Sequence, residues 1–198
     1  MATLDHTMTN VTLIEHPLSP YAQKVKIALL EKNIPFTTVA PMGASEEELQ
    51  TLHSSNPRGE VPVLLDGDLA LYDSTIILEY IEDRWPESPL LPATPAERAR
   101  VRTLEDVMDT HFEANTWGLA EITIFRRASG EQAAAITRFG ETQIAEWFTW
   151  LNQQLGDRPY FNGQEFGWGD LSIVPFVNGA NRFDLSPEPT SNLAGWIQ

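Results

Sequence analysis

The chain has 198 residues, 42% of them hydrophobic, enough to bury a core in one large domain or two small ones. Thirteen Lys and Arg stand against 28 Asp and Glu, and the formal net charge of −15 disfavours binding to a phosphate backbone, so an anionic ligand must be held by local donors. With no cysteine there is no disulfide, no thiolate metal ligand and no cysteine nucleophile, and four histidines without ligand-like spacing offer no metal site.

The first ten residues, MATLDHTMTN, have neither the basic start nor the apolar core of a signal peptide. No apolar run reaches the roughly 20 residues of a membrane span. A soluble, cytoplasmic protein is expected. VTLIE (11–15) is β-branched and apolar and predicts a short strand, which Pro17 and Pro20 end. Ser19 is a natural N-cap, and Pro20 suits the first helical position, where its missing N–H has no partner anyway. Ala22, Val25, Ala28 and Leu29 continue at helical spacing to about Asn33. FTTVA (36–40) predicts a second strand and SEEELQTLH (45–53) a short helix.

VPVLLDGDLALYD (61–73) predicts a hairpin around Asp66–Gly67–Asp68. Pro62 is awkward in a central strand because it offers no ladder hydrogen; a turn or a cis bond after Val61 resolves this. STIILEYIEDRW predicts a helix with Ile77, Ile81 and Trp85 on one stripe. Pro86, Pro89, Pro92 and Pro95 mark 86–96 as a linker. Beyond it Val101, Leu104, Met108 and His111 recur at helical spacing, as do Ile144, Phe148, Leu151 and Leu155, and a further helix is expected from about Gly169 to Phe183. His111 is expected as a satisfied core group on its stripe. The order is a small α/β domain, then an all-helical one.

That order, with SPYAQKV, NPRGEVPVLL, DSTIILEYIEDRWPESPLLP and GDLSIVP in sequence, resembles the cytosolic glutathione transferase superfamily over about residues 11 to 183, its N-terminal half looking most like the serine- and cysteine-type classes such as tau, zeta and omega. The resemblance implies a thioredoxin-like, glutathione-binding domain over 11–85, a linker over 86–96, and an all-α bundle over 97–198 that contributes the electrophile pocket. It implies Ser19 as the group that meets the glutathione sulfur, where omega-like relatives carry cysteine. It also implies Val61 before a cis Pro62 as the main-chain partner of the cysteinyl unit. Asp73 and Ser74 would hold the γ-glutamyl end, and Arg58 a ligand carboxylate. Main-chain groups suit such recognition because the fold orders them before the ligand arrives.

The chemistry needs a donor at Ser19. A thiol with a pKa near 8.5 is only about 3% thiolate at pH 7, and the thiolate is the nucleophile. Lowering that pKa by about two units takes about 2.7 kcal/mol. A charge-assisted hydrogen bond supplies about 1.5–3 kcal/mol and a helix dipole about 0.3–1 kcal/mol. The serine is thus a donor to sulfur and not a covalent nucleophile. Tyr21 is the rival hydroxyl, two residues into the helix.

The chain departs from the family at Glu60, where many relatives place lysine or glutamine, and Arg58 is its only Lys or Arg between Asn33 and Asp83. Asp170 falls where the family stabilises the start of a buried helix, with Gly167 as a cap lacking a side chain. The electrophile pocket is expected around His111, Phe112 and Trp117, with Phe125 nearby. The implied partners are glutathione as co-substrate, a small hydrophobic electrophile and a second copy of the chain; no metal, nucleic acid or membrane is implied. The implied activity is conjugation or substitution in detoxification. The alternative is a non-catalytic binding or assembly module of the same fold.

Overall fold

The computed structural model describes residues 11–41 and 45–198; the reading of the first ten residues lies outside them. Two compact units divide after Pro89.

In the first unit, β1 (Val11–Ile14) pairs parallel with β2 (Phe36–Val39) and antiparallel with β3 (Val63–Asp66), which pairs antiparallel with β4 (Leu69–Tyr72), giving the order β2-β1-β3-β4. The parallel pair needs a crossover, and α1 (Pro20–Glu31) supplies it. The antiparallel pair closes through a two-residue turn in which Gly67 has φ +59°, a conformation glycine adopts without a Cβ penalty. α2 (Glu46–Ser55) sets Leu52 against Ile14 and Val63, while α3 (Ser74–Arg84) packs with α1. β3 begins after Pro62, and the Val61–Pro62 bond is cis. Lys32 is buried but fully answered: Nζ lies 2.7 Å from Glu82 and donates to the carbonyls of Trp85 and Ser88 at 2.8 and 2.7 Å.

Ile14 pairs with Val39 on one side and Val63 on the other, and Val63 with Tyr72. These four residues form one row across an end of the sheet. The segment after β1, the segment before β3 and the segment after β4 all leave from it.

The second unit is helical: α4 (Pro95–Val107), a π-turn (Met108–Phe112), α5 (Glu113–Thr123), α6 (Gly130–Leu155), α7 (Trp168–Leu171), α8 (Val174–Ala180) and α9 (Asn192–Ile197). Val101, Leu104 and Met108 are buried, as are Ile144, Phe148, Leu151 and Leu155. Two expectations need correction. His111 is exposed, and Phe112 takes the core position at 0% exposure. Each residue of a wider i→i+5 turn advances by less than the about 100° of an α-helix, so the π-turn swings position 111 off the stripe and brings 112 onto it. The helix expected from Gly169 to Phe183 is broken into α7, α8 and a 3₁₀ turn (Asn181–Phe183), because Pro175 has no N–H for the carbonyl of Leu171.

α7 starts on a dense polar node. The Asp170 carboxylate is fully buried and accepts from the backbone N–H of Phe161 (2.7 Å), Asn162 (3.1 Å) and Gly167 (3.1 Å) and from the indole N–H of Trp196 (3.0 Å). Gly167 is required by space, since a Cβ there would lie 2.5 Å from the carbonyl oxygen of Leu90 and 2.1 Å from Nδ2 of Asn162. Asn162 supplies the missing cap: its Oδ1 accepts from Gly169 N–H at 3.2 Å, and its Nδ2 donates to the Leu90 carbonyl at 2.9 Å.

Candidate functional site

Three loops leave the shared row of the sheet, and the sequence-predicted glutathione residues lie on them. The first runs His16–Ser19. Ser19 N–H donates to the His16 carbonyl at 2.9 Å, and Nδ1 of His16 accepts from Leu18 N–H at 3.2 Å, which closes a tight turn against α1. Ser19 is the N-cap of α1, extended at φ −80° and ψ 115°, and is half-buried. Its Oγ accepts from Ala22 N–H at 3.3 Å. That contact uses a lone pair, and a hydroxyl carries one O–H donor besides two lone pairs. The cap thus orients the oxygen and leaves its proton for another acceptor, beside the positive end of a 12-residue helix. Capping and donation are compatible at this serine.

The second loop precedes β3. Asn56 is buried and staples it: Nδ2 donates to the Glu60 carbonyl at 2.8 Å, Oδ1 accepts from Arg58 N–H at 2.9 Å, and the Asn56 carbonyl accepts from Gly59 N–H at 2.9 Å. Gly59 has φ +65°, and the ring of His53 lies 3.4 Å from where its Cβ would stand. Val61 packs half-buried on the Ile14–Leu52–Val63 cluster, and Pro62 is buried beside it.

The third loop follows β4. Asp73 has φ +72° and caps α3, with Oδ1 accepting from Thr75 N–H (3.1 Å) and Ile76 N–H (3.4 Å). The helix start therefore offers fewer uncommitted N–H groups than its sequence suggests. Ser74 follows, buried. Oδ2 of Asp73 receives the Arg58 guanidinium at 3.5 Å, and Glu60 approaches the same guanidinium at 3.9 Å. Arg58 also lies over the ring of Tyr72 at 5.5 Å. Sequence reasoning passed over Tyr72; its signal was its place at the end of a strand directly before Asp73. Arg58, Tyr72, Asp73 and Ile76 line a shallow cavity of about 310 Å³ with Ala70 and Leu71.

The residues expected around an electrophile have unlike surroundings in the helical unit. Phe112 is enclosed and stacks edge-on against Phe148 at 5.7 Å, so it serves the core instead of a pocket surface. His111 lies over Trp147 (5.7 Å between centroids), and Trp117, 51% exposed, lies against Phe125 at 5.6 Å. Glu113, one residue beyond the π-turn, is the perturbed acid here. Burial pushes its carboxyl above the usual range, against the Thr116 hydroxyl, which donates at 2.6 Å, and the charge of Arg182, while Asp109 adds to the rise. Among the described residues no group of His, Asp and Glu side chains converges as a metal site, and no helix is long and apolar enough to cross a membrane.

Comparison with known proteins bears on the family and the fold. Residues 13–89 match the model of the glutathione S-transferase N-terminal domain and 107–198 that of the C-terminal domain. Glutathione S-transferase U28 of Arabidopsis thaliana is 31% identical over 178 residues, 86% of this chain and 72% of that protein. The structure of rice GST1 in complex with glutathione is 28% identical with a TM-score of 0.77, covering 96% of this chain and 85% of that one. FzlA from C. crescentus is 26% identical with a TM-score of 0.81, covering 95% and 86%. The thioredoxin-like unit followed by an all-α unit is thus the glutathione transferase fold, and the expectation of a glutathione S-transferase-like enzyme stands with it. Matched across both of its units, the chain belongs to the glutathione S-transferase family.

Proposed function

We propose that this enzyme binds glutathione at the shared end of its sheet, draws the thiol to thiolate with the Ser19 hydroxyl, and passes it to a small hydrophobic electrophile by addition or substitution. The observation that carries this reading is the register Ile14–Val63–Tyr72, which gathers Ser19, Val61–Pro62 and Asp73–Ser74 on loops from one sheet end. Glutathione lies with its sulfur at Ser19, its cysteinyl unit along the main chain of Val61 and its γ-glutamyl end at Asp73 and Ser74, with Arg58 as the available guanidinium for a carboxylate. The bound glutathione of rice GST1 supports the choice of ligand. The S–H proton passes to solvent while the Ser19 O–H donates a hydrogen bond to the sulfur, and the α1 dipole favours the thiolate formed. The sulfur lone pair then attacks the electrophile; in substitution the leaving group departs with its bonding pair, and in addition the displaced π pair takes a proton from solvent. His111 and Trp117 are kept as candidates for the electrophile side. The enzyme is cytoplasmic, works in detoxification and pairs with a second copy of itself.

Mixing protein with glutathione at pH 7 and recording the ultraviolet thiolate band tests the reading. Wild type raises the thiolate fraction well above its free value; an equal fraction with Ser19→Ala refutes the role of the serine.

A binding or assembly module of the same fold is the second reading, favoured by one observation: Arg58, the cation offered to glutathione, is already held between Asp73 and Glu60. The neighbour FzlA, which is not named as a transferase, is consistent with it. Retention on immobilised glutathione separates the two.

A further inference from the structure

Building on the reading of the sheet end as a glutathione site, we propose that the thiol this chain takes best is a γ-glutamylcysteinyl peptide whose carboxyl end is masked as an amide, neutral or bearing an amine, with Glu60 as the residue that selects it. The argument is a charge count at the lip of the site. Arg58 carries the only fixed positive charge between Asn33 and Asp83. Its guanidinium is shared by Asp73 at 3.5 Å and Glu60 at 3.9 Å, so the three groups sum to one negative charge before any ligand arrives. Glutathione brings two carboxylates and one ammonium. Asp73 suits the ammonium, but its Oδ1 already takes the N–H groups of Thr75 and Ile76, which leaves the start of α3 able to serve one ligand carboxylate at most. The second carboxylate meets Arg58 as the guanidinium among the described residues of this loop, and must compete there with two protein carboxylates.

Glu60 is not a stray surface acid. The Asn56 amide holds its carbonyl at 2.8 Å, and it directly precedes Val61, the residue whose main chain lies along the peptide. Its own carboxylate, 66% exposed, lies 3.9 Å from the Arg58 guanidinium, the group offered to the ligand's carboxyl end. An anionic carboxyl end meets repulsion there, an amide meets none, and an amine meets attraction. The His53 ring lies beside Gly59, and a ring N–H there can still donate to an amide carbonyl, though less strongly than to a carboxylate. Because these groups face water, each charge is worth only about two- to fivefold in affinity, and less at high salt.

Calorimetry with glutathione, its C-terminal carboxamide and its aminoethyl amide, on wild type, Glu60→Gln and Glu60→Lys, tests this. Wild-type affinity is expected to rise about two- to fivefold at each step of that series. Glu60→Gln should flatten the step to the amine, and Glu60→Lys should reverse the order so that glutathione binds best. If wild type binds glutathione as tightly as the amides while Ser19 still raises the thiolate fraction, this inference fails and the reading of the site survives. If none of the three peptides binds, both fail.

Discussion

Two helix starts in this chain solve the same problem with opposite surroundings. At α1, Ser19 is half-buried, its oxygen accepts one N–H at 3.3 Å, and its proton is left over. At α7, Asp170 is wholly buried, each carboxylate oxygen accepts two N–H groups, and nothing is left over. A cap with spare hydrogen-bonding capacity near solvent can serve a ligand. A saturated cap in a closed node can serve only the fold. The difference lies in accessibility and stoichiometry, not in residue class.

The hardest way to break the comparison is at Asp170. Asp170→Asn keeps the shape but sets an NH₂ against two N–H donors. With about 1–3 kcal/mol for each buried donor left unmet, a loss of about 4 kcal/mol is expected in urea unfolding. Burial pushes the Asp170 carboxyl up although its four donors pull it down, and only the ionised form accepts at both oxygens without setting an O–H against one of those donors. At Gly167 an alanine must displace both Asn162 and the Leu90 carbonyl, and a loss of about 1–3 kcal/mol is expected by the same measurement.

At Ser19 the effects should fall on chemistry. Removing the hydroxyl lowers conjugation at pH 7 by about 10- to 100-fold, the rate equivalent of one charge-assisted hydrogen bond. Ser19→Ala also gives up about 1 kcal/mol of cap stability, whereas Ser19→Gly gives up only a few tenths. If glycine and alanine lose activity alike while only alanine lowers the melting temperature, capping and donation are separate functions of one oxygen. If activity tracks stability across both, the serine is a cap alone.

The smallest effect concerns Glu113. Its folded pKa is raised, so the native state keeps a proton that the unfolded chain has lost in the window above the ordinary value of 4.5. Stability is therefore fullest below that window and falls as pH climbs through the raised value, leaving a penalty at neutrality. Glu113→Gln can still accept from Thr116 and should raise the melting temperature at pH 7 by about 1–3 °C, with the gain vanishing near pH 4.

Much of the architecture was legible because its signals are short-range. Alternation, helical spacing and turn chemistry sit within a few residues, so β1 to β4 and α1 to α3 follow from VTLIE, SPYAQKV, FTTVA, SEEELQTLH, the Asp66–Asp68 turn and DSTIILEY. The second unit was less legible. A single π-turn moved His111 outward and Phe112 inward, and one proline split the last long helix. Periodicity assumes a constant angle per residue, and both features change it.

What the sequence determined alone was which groups exist: a serine before a proline at a strand–helix corner, an aspartate–serine pair opening α3, one arginine between Asn33 and Asp83, and no thiol. Their local conformations follow from neighbours a few positions away. Only the tertiary structure decided what those groups do to each other. It brought Arg58 between Asp73 and Glu60, and it let Asn162 cap a helix whose own first residue has no room for a side chain. The first pairing is made by strand register, which is a property of the whole sheet, and the second by the loop after α6 folding back on the start of α7.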